Sequence, residues 1–156
     1  MSDVAVVDTQ NPKVPPTLTP GKVTPKILHG WQWACKEYFG TKCVAEDAQV
    51  ESVLYQLEDM DIVERVEADE AALISLPFTG LMVKLREQVL EKDWNWNLKL
   101  LILGLKQGER PFGEWENELK NCNTLLRGRP HHFSDKVLRE TLHTNMDYTP
   151  SFSLLS

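Results

Sequence analysis

The chain has 156 residues, 42% of them hydrophobic and 26% charged, with 17 Lys and Arg against 23 Asp and Glu for a net charge of −6. That length suits one domain or two small helical lobes with a modest core, and the composition is that of an ordinary globular protein. An acidic balance does not favour nucleic-acid binding, because neutralising phosphates requires clustered Lys and Arg.

Residues 1–23 contain Pro12, Pro15, Pro16 and Pro20 among scattered Thr, Gly and Lys, a composition expected to form a flexible, disordered arm. Within it Asp8-Thr9-Gln10 matches the start of an aspartic protease triplet only in part. The Gly that shapes that turn is absent, so a protease is set aside.

Thr24 can cap a first helix, Pro25 suits its first turn, and Ile27, Leu28, Trp31, Cys35 and Tyr38 form an apolar stripe that Gly40 is expected to end. A second helix is expected over residues 45–57, with Val50, Val53, Leu54 and Leu57 facing inward and acids outside. A short acidic helical stretch follows over residues 62–74. Ten acids from Glu46 to Glu70 stand against Arg65 alone, and they read as a solvated face, since the central Gly and alternating ligands of an EF-hand loop are missing. Pro77 opens the next helix, whose inner face is Phe78, Leu81, Leu85, Val89 and Leu90. Residues 93–97 break the pattern, marking a boundary between lobes near residue 94, and helix resumes from about Leu98.

Residues 105–126, LKQGERPFGEWENELKNCNTLL, join a Gln-Gly-Glu turn to an amphipathic helix. Phe112, Trp115, Leu119, Cys122 and Leu126 recur every three or four positions and so share one face. Gln107-Gly108 ends the preceding apolar helix, and Pro111 fits the first turn of the next, where its missing N–H costs no hydrogen bond. A helix led by Ser134 follows over residues 134–143. Beyond Asp147 the chain reads YTPSFSLLS, where Ser151 could cap a further helix that the terminus cuts short. Few segments alternate with a strand period, so the class is all-α.

The turn and helix carried by Gln107, Gly108, Pro111, Phe112, Trp115 and Leu119 resemble the major homology region of retroviral and retrotransposon Gag capsids. With Trp94 and residues 98–105 ahead of it and Leu125-Leu126 behind, the stretch 24–147 is similar to the capsid of gypsy-type long-terminal-repeat retrotransposons of a fungal-like form. Orthoretroviral capsids place a Glu two positions before the Phe and an Arg six after it. This chain carries Arg110 and Glu118 there, a departure that points to the transposon branch and leads to the expectation that the viral polar network is not built. The resemblance implies a capsid-like helical bundle: an amino-terminal lobe over residues 24–94 and a partial carboxy-terminal lobe over residues 95–156.

Other chemistry finds little support. His131-His132 and His143 lack zinc spacing, and Cys35, Cys43 and Cys122 fit neither a zinc pattern nor an even disulfide framework, so reduced thiols are expected. No Gly-x-Ser-x-Gly elbow and no phosphate-cradling Gly loop is found, and Gly104, Gly108 and Gly113 are split by Pro111. No enzyme, no metal, no cofactor and no small-molecule substrate are expected. The apolar run 100–105 is too short to span a bilayer and the first residues do not form a signal peptide, so a soluble cytoplasmic protein without membrane contact is expected.

Association remains. Trp31 with Trp33, and Trp94 with Trp96, stand two positions apart at about 100° per residue on a helix. One of each pair can enter the core while the other anchors an interface, or both can be core residues. The resemblance implies a structural capsid protein, or a fragment of one, that self-associates into oligomers or shells with little direct nucleic-acid binding. The alternative is a host-adopted helical adaptor that binds a partner peptide in a groove.

Overall fold

The computed structural model describes residues 4–146, and the expected capped helix beyond Asp147 lies outside them. Seven α-helices and one two-stranded antiparallel sheet are formed among the described residues, an all-α architecture. The chain divides into two compact units, Met1–Lys92 and Asp93–Ser156.

The proline-rich arm of the first unit is not a loose segment. Strands β1 (Val7–Asp8) and β2 (Thr17–Leu18) pair as a short hairpin, Val4 bridges to Lys22, and Ala5, Leu18 and Val23 are buried. Prolines fix φ near values compatible with extended backbone and forbid only the donated hydrogen bond, so a strand edge tolerates them where a helix would not. Leu18 is also bonded on its other side: its N–H donates to the Gln56 carbonyl at 2.9 Å and its carbonyl accepts from the Glu58 N–H at 3.0 Å. Gly21 explains the close crossing. At φ 129°, a Cβ there would stand 2.8 Å from the Ala5 backbone nitrogen.

Helix α1 (Pro25–Lys42) starts as its cap requires, with Thr24 accepting from the Ile27 N–H at 3.2 Å. It does not end at Gly40. The chain turns out at Cys43, whose φ of 52° and ψ of 46° give the left-handed closure usually left to glycine, with its N–H bonded to the Phe39 carbonyl. The buried stripe is Leu28, Trp31, Cys35 and Phe39, so Phe39 replaces Tyr38 at its end.

The helix expected over residues 45–57 is shorter: a 3-10 turn at Glu46–Ala48 leads into α2 (Gln49–Leu54). Leu57 leaves the helix because its neighbours are recruited by the backbone of Leu18. Helix α3 (Met60–Ile74) is capped by Asp59, which accepts from the Asp61 N–H and, through its other oxygen, from the Gly21 N–H at 3.1 Å. One residue thus ties the hairpin to the start of α3. Helix α4 (Phe78–Val89) buries Met82 as well as the expected Phe78, Leu81 and Leu85. Phe78 meets Phe39 edge-on at 4.9 Å and Trp31 at 6.4 Å, and this aromatic cluster joins α4 to α1.

In the second unit helix α5 (Trp94–Gly104) begins four residues before the expected start, so residues 93–97 are largely helical rather than a break. Helices α6 (Phe112–Leu125) and α7 (Asp135–Asn145) follow, the latter capped by Ser134. Trp115, Leu119, Leu126, Ile102, Phe133, Leu138 and Leu142 form the core. No helix of the described residues is long and apolar enough to cross a membrane.

Candidate functional site

The turn between α5 and α6 is built on Gly108, whose φ of 62° strains any residue with a Cβ. It allows Gln107 to fold back on itself: the Gln107 side-chain amide donates to the Arg110 carbonyl at 3.0 Å, and the Arg110 N–H returns a bond to the Gln107 carbonyl at 3.3 Å. Pro111 stands one position earlier than expected. It is the residue before the first helical turn, extended at ψ 144°, and its carbonyl accepts from the Trp115 N–H.

Arg110 organises the turn. Its guanidinium donates to the Lys106 carbonyl at 2.8 Å and the Gln107 carbonyl at 3.3 Å, and it forms an ion pair with Glu118. Six helical positions separate Phe112 from Glu118, about 9 Å along the axis, a span that an arginine reaching from just before the helix covers. The expectation concerned the viral Glu–Arg network, and the two residues that stand in its place here, Arg110 and Glu118, pair with each other. The two charges close the turn onto α6, in the opposite order to the Glu and Arg expected of the viral motif.

Of the motif's apolar residues, Trp115 and Leu119 are fully buried, and the Trp115 indole N–H donates to the Leu105 carbonyl at 3.3 Å. Phe112 was expected on the same inner face but is 41% exposed, resting edge-on against Trp115 at 5.7 Å. It opens the helix, where no preceding turn covers it. Cys122 is half-buried and Leu126 is buried.

Two polar residues that the sequence did not single out, Asn123 and Asn145, secure the site. Buried Asn123 accepts from the Phe133 N–H at 2.8 Å and donates to the Phe133 carbonyl at 3.0 Å, pinning the chain ahead of α7 to α6. Asn145 donates to the Leu103 carbonyl at 2.7 Å and accepts from the Lys106 ammonium at 2.7 Å, fastening the end of α7 beside the turn. Asn123 follows Leu119 by four positions, so its place on the inner face was legible. The partners of Asn145 lie 39 and 42 residues away and left no local signal.

The tryptophan pairs divide between core and surface. Trp31 and Trp94 are buried, whereas Trp33 is 61% and Trp96 47% exposed. Trp96 is held in place, with Lys99 5.0 Å from its ring centre and His131 edge-on at 5.6 Å. His132 lies 3.4 Å from the Asn123 amide, and no group of three or more His, Cys, Asp or Glu side chains able to hold a metal occurs among the described residues. Burial pushes the Cys35 thiol well above its ordinary range, while Cys43 is exposed. In the acidic segment the Tyr55 hydroxyl donates to Glu70, and that bond to a carboxylate holds the phenol above its usual range. Asp8 accepts from the Gln10 N–H at 3.0 Å, a turn contact within the hairpin.

Comparison with protein-family models, with curated proteins and with solved structures finds no match to this chain.

Proposed function

We propose that this chain is a structural, non-enzymatic Gag-type capsid protein, or a fragment of one, of a long-terminal-repeat retrotransposon, and that its copies self-associate. The observation that carries the reading is the turn of Gln107, Gly108 and Arg110 closed onto α6 by Glu118, with Trp115 and Leu119 buried behind it. A pair of opposite charges at the two positions where viral capsids carry theirs supports a retained design with exchanged signs. The acidic first unit supports weak affinity for phosphates, since like charges repel them.

A second reading, the host-adopted adaptor, draws support from an open groove of about 370 Å³ lined by Lys36, Phe39, Gln49, Pro77 and Phe78. Sedimentation of the chain over a concentration series, with and without RNA, separates the two. Concentration-dependent association without RNA binding is the expected result. A strict monomer at high concentration favours the adaptor, and tight, steeply salt-dependent RNA binding overturns the expected charge behaviour.

A further inference from the structure

We infer that the outward face of α5 is the surface through which two copies of this chain pair, a proposal that rests on the self-association read above and gives it a location. Trp96, Leu100 and Leu103 follow one another at spacings of four and three, the repeat of a helix–helix seam, and lie on one stripe of α5. They are 47%, 48% and 43% exposed. Trp94 and Ile102, on the other side of the helix, are buried. Trp94 and Ile102 thus fasten α5 into its unit; Leu101, 48% exposed, lies beside Trp94 and off the stripe, and the stripe itself is left open for a partner.

Charge argues that this partner is a second copy. Helix α5 has no carboxylate, and its single charged side chain, Lys99, is drawn over the Trp96 ring. Asn97 and Gly104 flank the stripe, so an incoming identical helix meets neutral edges. Residues 93–156 carry eight acids and eight Lys or Arg, whereas residues 1–92 carry 15 acids and nine Lys or Arg. A contact between two second units therefore brings together surfaces of balanced charge, whereas one between two first units would oppose acid to acid. Trp96, already positioned by Lys99 and His131, has little side-chain freedom left to lose on docking.

Area sets the strength. The exposed parts of the three side chains amount to roughly 300 Å² per chain, in the range of functional patches on monomers but below the roughly 800 Å² per partner of a standard stable interface. The pair is accordingly a weak, concentration-dependent dimer, and using the same patch on both chains closes it as a two-fold.

Sedimentation equilibrium of the full chain from about 10 µM to about 1 mM tests this, with Leu100→Asp and Leu103→Lys as variants expected to raise the dissociation constant by about tenfold or more. Both positions are exposed, and circular dichroism verifies that each variant keeps its fold. Trp33→Ala, on α1 of the first unit, is the control and is expected to leave association unchanged. If the chain associates but neither seam variant weakens it, the seam is wrong while self-association stands. A chain that remains monomeric throughout overturns both.

Discussion

The two units solve the same problem, ordering short helices around a small core, by different means. Residues 1–92 use apolar packing reinforced by a strap: the hairpin lays Leu18 into the core and ties its backbone to residues 56 and 58, while the aromatic cluster of Trp31, Phe39 and Phe78 joins α1 to α4. Residues 93–146 have no strand, and polar staples fill that role: Asn123 grips Phe133, Asn145 grips Leu103, and Arg110 clasps Glu118. The first unit carries the whole net charge of −6 and turns its acids outward. The second is balanced in charge and leaves an apolar helix face in the open. A small lobe with few core residues thus gains order from directional bonds, which fix positions without consuming apolar side chains, and those side chains remain for its surface.

The largest expected effect tests whether α6 is the keystone of the second unit. Trp115→Ala removes a fully buried indole together with its bond to the Leu105 carbonyl, and a loss of about 3–5 kcal/mol is expected in denaturant unfolding. A variant that unfolds like the parent would mean that the polar staples alone order this unit.

Next is the strap. Leu18→Ala leaves a void beneath the hairpin and is expected to cost about 2–5 kcal/mol. Limited proteolysis should then cut within residues 4–23 faster than in the parent chain. Unchanged stability and cleavage would return this segment to the flexible arm that its prolines suggest, and would leave the first unit without its strap.

The smallest effect is at the clasp. The Arg110 and Glu118 side chains are 31% and 44% exposed, so solvent screens the pair, and a double-mutant cycle with Arg110→Ala and Glu118→Ala is expected to give a coupling of about 0.2–1 kcal/mol. The reversed pair, Arg110→Glu with Glu118→Arg, should recover most of that coupling. No coupling in the cycle would reduce the clasp to a surface contact and leave Gly108 and Gln107 to shape the turn.

Much of the local structure was legible because it depends on neighbours along the chain. Thr24 and Ser134 announced their helices through side-chain oxygens three residues ahead of the N–H groups they accept, and the periodic spacing of Trp115 and Leu119 identified the buried side of α6. The Gln-Gly turn was equally local, since only glycine adopts the φ of Gly108 without strain.

What tertiary structure alone decided depends on residues far apart in sequence. Leu57 leaves its helix because Leu18 bonds to the backbone on either side of it, the prolines of the first segment coexist with a hairpin because Leu18, Ala5 and Val23 find a core, and Cys43 takes the closure that Gly40 was expected to provide. Phe112 carries the right residue type for an interior position yet lies open, because burial is set by what packs over a helix end and not by periodicity alone. The sequence by itself therefore determined where helices start and which stripe of each is apolar, through capping and i, i+3, i+4 spacing. Which of those apolar stripes is covered, and which is left facing outward on α5, was decided only when distant segments competed for the same core.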